Sequence, residues 1–73
     1  MSQVLVQSEL NANVWQIAVA LGDMVSEDQD LLILESMKME IPVPAPCAGR
    51  VTEIRVKKDD AVRERQVLVV IET

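Results

Sequence analysis

The sequence predicts an all-β fold, a flattened antiparallel sandwich or barrel of about eight short strands with internal pseudo-twofold symmetry. Three observations carry that expectation: the chain repeats itself, its apolar residues recur with a period of two, and no helical period is found. Residues 2–36 align without gaps on residues 39–73 at an offset of 37. Ten of the 35 pairs are identical: Val6/Val43, Val14/Val51, Ile17/Ile54, Val19/Val56, Asp23/Asp60, Val25/Val62, Glu27/Glu64, Gln29/Gln66, Leu31/Leu68 and Glu35/Glu72. Val4/Ile41, Ile33/Val70 and Leu34/Ile71 are conservative additions.

Taken in chain order, Trp15, Ile17, Val19 and Leu21 alternate with Gln16, Ala18 and Ala20, which places one face of a strand, Trp15 included, in the core. Gly22-Asp23 marks a turn. Residues 31–34 are continuously apolar, as suits a short strand covered on both faces. Pro42, Pro44 and Pro46 confine their segment to a sheet edge or an extended exit, and Cys47, beside Ala48-Gly49, behaves as a small apolar residue. The second half then repeats the first. Ile54 and Val56 alternate with Glu53 and Arg55, Asp59-Asp60 matches the earlier turn, and residues 67–71 form the second continuous apolar run.

Composition narrows the function classes. With 73 residues the chain has room for one core, so residues 1–73 are expected to form one domain. One cysteine excludes an internal disulfide, and the absence of histidine together with the single thiol excludes a structural zinc site. Stability must come from packing that is almost wholly aliphatic. No charged leader precedes an apolar stretch, and no apolar run approaches the ~20 residues of a membrane span, so a cytoplasmic protein without membrane attachment is expected. A net charge of −5 argues against nucleic acid as a partner. Residues 1–37 hold six acids and no Lys or Arg, net −6, whereas residues 38–73 hold seven bases and six acids, net +1. Lys38 is the first cation in the chain.

Between the two halves lie only Met37 and Lys38. A two-residue connection between antiparallel strands is the tightest common hairpin, so these two should be its central positions. Ser36 then faces Met39, Glu35 faces Glu40, Leu34 faces Ile41 and Leu32 faces Val43, with the last four on one buried face. Turns of this kind call for positive φ at both centres and favour Asn-Gly, so Met-Lys should carry backbone strain. The Glu35/Glu40 pair is mildly repulsive. Local rules broken without structural gain point to a site, although a lysine on a turn is by itself more often a solvated residue. Thr73 is the repeat equivalent of Ser36, so both ends of the chain should lie at the pole opposite Lys38, where tethering leaves the amine free.

The stretch Glu35-Ser36-Met37-Lys38-Met39-Glu40-Ile41-Pro42 resembles the attachment motif of the biotin carboxyl carrier proteins, whose Met-Lys-Met centre holds the biotinylated lysine. The resemblance covers nearly the whole chain, through the paired Gly-Asp and Glu-x-Gln elements of the two halves. It departs from the family at Ser36, where Ala is common, and at Ala12, Asp28, Asp59 and Arg65, where Gly is common; Arg65 in particular puts the local turn in doubt. The segment from Val19 to Leu31 is too short for the protruding thumb of some bacterial carriers, so the chain is similar to the thumbless, stand-alone biotin/lipoyl attachment type. The absence of a Pro/Ala-rich linker before Val4 suggests a complete protein.

That resemblance implies covalent biotin on Lys38, added by a biotin protein ligase, and transfer of a carboxyl group from a biotin carboxylase to a carboxyltransferase. A lysine amine is a nucleophile only when neutral, and no general base is evidently paired with Lys38, so the chain is expected to be a substrate and carrier, a monomer and not an enzyme. Met37 and Met39 are candidate adaptable contacts for partner enzymes, and Glu35, Ser36 and Glu40 flank the site as candidate recognition residues. Two rivals remain. Lipoyl carriers share the duplicated sandwich but usually place Asp before the lysine and Ala after it; unmodified adaptor modules of this shape lack the Met-Lys-Met turn.

Overall fold

The computed structural model describes residues 2–73 and contains eight strands: β1 (Gln3–Gln7), β2 (Ala12–Ile17), β3 (Met24–Val25), β4 (Asp30–Ser36), β5 (Met39–Pro44), β6 (Gly49–Ile54), β7 (Ala61–Val62) and β8 (Val67–Glu72). They form two antiparallel four-stranded sheets, ordered β1-β8-β6-β3 and β5-β4-β2-β7. At the offset of 37 each strand of one sheet maps onto its counterpart in the other. The duplication is therefore a structural twofold, and the expected flattened sandwich is the fold.

The ten identical pairs show why the repeat holds. Six are apolar and line the core or pack against it: Val6/Val43, Val14/Val51, Ile17/Ile54, Val19/Val56, Val25/Val62 and Leu31/Leu68. Two close turns with their side chains. Ala20 N–H donates to Asp23 Oδ2 at 2.9 Å while Asp23 N–H donates to the Ala20 carbonyl at 3.1 Å, and Lys57 and Asp60 repeat both bonds at 2.9 and 3.1 Å. Ser26 with Gln29, and Arg63 with Gln66, make the same reciprocal pair through the Gln carboxamide oxygen. Each turn needs one left-handed residue. Gly22 (φ 87°) and Asp59 (φ 74°) serve the first kind, Asp28 (φ 69°) and Arg65 (φ 70°) the second, so Arg65 keeps the turn geometry at the expense of backbone strain.

Two expectations fail at the surface. Trp15 is 40% exposed and Leu21 65% exposed, although their alternation with Gln16, Ala18 and Ala20 placed both in the core. Leu21 lies in the turn beyond the end of β2 at Ile17, and Trp15 is displaced by a β-bulge. Val14 pairs with Leu34 and Gln16 with Ile33, which leaves Trp15 extra on its strand and turns both Trp15 and Gln16 outward between Val14 and Ile17. The counterpart bulge in β6 carries Thr52, between Val51↔Ile71 and Glu53↔Val70. Bulges also account for the adjacent buried residues that open the continuous apolar runs: Leu31 and Leu68 are the unpaired residues opposite Val43/Pro44 and Val6/Gln7, and both are fully buried.

Strand β5 is an edge strand, as its prolines require. Counting from the closing pair of a two-residue hairpin, Pro42 falls at a non-hydrogen-bonded position, so its missing N–H faces outward. Cys47 is half-buried against the core. At the other end, Thr73 N–H donates to the Ser2 carbonyl at 2.9 Å, so the chain ends pair where the twofold would place a second hairpin. The body measures 36 × 18 × 17 Å, with the Met37-Lys38 turn at one pole and the Ser2/Thr73 pair at the other.

Gly49 tests the packing at that second pole. A Cβ there would meet Ile71 Cγ2 at 2.5 Å and the Glu72 carbonyl oxygen at 2.6 Å. Gly49→Ala is expected to lower the unfolding free energy by about 1–3 kcal/mol, measured by urea denaturation, while the Lys38 pole keeps its structure.

Candidate functional site

The register of the central hairpin is the one the two-residue connection requires. Ser36 pairs with Met39, Glu35 with Glu40, Leu34 with Ile41, Ile33 with Pro42 and Leu32 with Val43. Met37 (φ 53°) and Lys38 (φ 65°) are both left-handed, the backbone of a type I′ turn, whose twist matches that of the flanking strands. Each non-glycine residue in this conformation costs about 1–2 kcal/mol. The stem offsets it. Leu32 and Leu34 are fully buried and Ile41 and Val43 pack against the core, each apolar side chain contributing roughly 1.5–3 kcal/mol when fully buried.

All six candidate residues meet on this hairpin. Met37 is 90% exposed and Met39 61%, Lys38, Glu35 and Glu40 are exposed, and Ser36 is half-buried. Among the described residues the one ion pair joins Arg55 and Glu53, at 3.1 Å, so no carboxylate holds the Lys38 ammonium. The amine stands free at the tip. Neither of two hollows formed by the described residues is lined by Lys38. One of about 670 Å³ runs between the edges of β1 and β5, past Leu5, Ile41 and Val43, and does not reach Lys38. A shallower one of about 380 Å³ lies beside the turn, bordered by Met37, Ser36, Asn13 and Ala61.

The sequence reading missed the second strand of this pole. Asn13 pairs with Glu35 on one side and Ala61 on the other, which brings β2 and β7 beside the hairpin. No sequence signal gives it; the repeat offset shows only that the arrangement occurs twice, with Arg50 between Glu72 and Met24 at the equivalent position. Met37→Asn, which suits a left-handed residue, is expected to raise the unfolding free energy by about 0.5–1 kcal/mol at unchanged urea m-value.

The model of the biotin-requiring enzyme family, which covers biotin and lipoyl attachment domains, matches residues 4–71. The biotin/lipoyl attachment protein of Bacillus subtilis is 43% identical over 63 residues, 86% of each chain. A Mycobacterium leprae homologue named as a biotinylated protein is 39% identical over 66 residues, 90% of this chain and 93% of its own. Among solved structures, the urea carboxylase of Kluyveromyces lactis superposes with a TM-score of 0.92 at 32% identity, over 99% of this chain and 6% of that one. The turn between Val19 and Leu31 carries no protruding insertion, and the resemblance seen in the Met-Lys-Met motif extends through both halves: this chain belongs to the biotin/lipoyl attachment family.

Proposed function

We propose that the chain is a biotin carrier in a biotin-dependent carboxylase system, with Lys38 as the single attachment point. The observation that carries this reading is an unpaired, exposed amine on a left-handed two-residue turn, flanked on both sides by exposed methionines. A flexible loop would have to be ordered each time the amine entered an active site; a rigid turn removes that entropic cost. The chain supplies no base to deprotonate the amine, so the acyl group must arrive activated on a separate ligase. Amide formation removes one cation and leaves the domain one charge more negative. When bound, biotin supplies the ureido ring that accepts a carboxyl group from a biotin carboxylase and yields it to a carboxyltransferase. The domain contributes display and delivery, and with the Ser2/Thr73 pole at the far end of the body, a tether there leaves the tip unobstructed.

A lipoyl carrier is the second reading, favoured by the dual name of the Bacillus subtilis relative. Met37 and Met39 on both sides of the lysine support biotin over lipoate. Coexpression with a biotin ligase is expected to add one biotinyl group by intact mass, mapped to Lys38 and not to Lys57 or Lys58, and Lys38→Arg should abolish it. Modification by a lipoate ligase alone would reverse the assignment.

A further inference from the structure

The pseudo-twofold supplies an internal control, because the strand positions that lead to Lys38 have counterparts near Ser2 and Thr73 in the same strand pairing. At the far pole Glu72 lies between Arg50 and Gln3, and the three side chains sum to zero charge. At the lysine pole the equivalent Glu35 lies between Asn13 and Glu40, and the sum is −2. The fold accepts the neutral set, so the acid excess is not a structural requirement. Strands β2, β4 and β5 contain no Lys or Arg at all. The bulges give a second contrast: the same outward-turned position is Thr52 at the far pole and Trp15, the only aromatic residue in the chain, on the lysine-bearing sheet.

Alternation places Ile33 and Pro42, and the bulge places Trp15, on the outer face of that sheet, below Glu35 and Glu40. Trp15 lies level with Leu34 and Ile33, about 10 Å from the turn at ~3.3 Å per residue. A standard interface buries ~800 Å² per partner, a disc of about 16 Å radius, so a protein seated on Lys38 and this face covers Trp15. An enzyme that acylates the bare amine must approach this closely, since the lysine side chain is its only reach. Enzymes acting on the far end of an attached cofactor meet the domain from farther out.

We propose that this face, with Trp15 as anchor and Glu35 and Glu40 at its rim, is where the biotin protein ligase seats the domain, through a hollow that takes the indole ring inside a cationic border. The inference rests on the biotin reading above. Tryptophan in a desolvated pocket is a frequent hot spot, and complementary rim charge speeds docking in a salt-dependent way.

Steady-state biotinylation of the full chain tests it. Trp15→Thr, which copies the far pole, is expected to raise KM at least about tenfold with kcat within about twofold of the parent. The paired variant Asn13→Arg with Glu40→Gln, which copies the far pole's charges, should remove most of the salt dependence of KM. Both variants should unfold at or above the parent's urea midpoint and keep its rate of Lys38 acylation by a small N-hydroxysuccinimide ester of biotin. An unchanged KM in natively folded Trp15→Thr, or salt dependence undiminished in the paired variant, overturns the docking face while leaving the carrier reading intact. A parent chain that no biotin ligase labels overturns both.

Discussion

Fixing the register between β4 and β5 is the constraint on which the rest of the molecule depends. The side-chain period of a strand is two, so a slip of one residue would send Leu32 and Leu34 to solvent and bring Glu35 and Ile33 inward. A two-residue connection leaves no slack for such a slip. The left-handed backbone at Met37 and Lys38 thus follows from the buried stem, and the exposed amine follows from the turn. Function at the tip is held in place by aliphatic packing beneath it.

Packing alone carries this load because the chain has nothing else to use. With one half-buried cysteine and no histidine, its small core is built from Val, Leu and Ile drawn in near-equal shares from both halves. Duplication makes this economical. One solution to strand pairing, bulge placement and turn capping serves twice, and the polar identities Asp23/Asp60 and Gln29/Gln66 persist because each closes a turn with its own side chain. Ser8, the one buried polar residue among those described, stands where the other half has Ala45, and its hydroxyl is satisfied by donating to the Leu10 carbonyl.

What could be read from the sequence was whatever depends on period and spacing. The duplication, the all-β class, the hairpin register and the edge position of the prolines all follow from where residues stand relative to one another. Trp15 and Leu21 show the limit. Trp15, Ile17, Val19 and Leu21 fit an uninterrupted period of two, and no local residue announces the bulge at Trp15 or the end of β2 at Ile17 that leaves Leu21 in a turn. The hint lay 37 residues away: Thr52 is a poor core residue, so the equivalent Trp15 was a poor candidate for the core as well. The pole itself was half legible. Its hairpin could be drawn from the linker length, but Asn13 arrives through the bulged β2–β4 pairing, which no local residue announces, and Ala61 through pairing between the halves, which neither half encodes alone.

The same comparison separates what the fold needs from what the tip needs. Positions that agree between the halves are mostly core residues and turn caps, and their agreement is explained by burial and hydrogen bonding. Positions that differ while sharing a backbone setting carry no such explanation: Asn13 against Arg50, Trp15 against Thr52, Glu40 against Gln3. All three fall on one face and make it more acidic or more apolar than its twin, against the opposite contrasts of Gln16 with Glu53 and Pro42 with Leu5. A like-charge pair across strands and an exposed indole both work against stability in water. The far pole shows that the fold can do without them, so they are explained by what the lysine pole must meet.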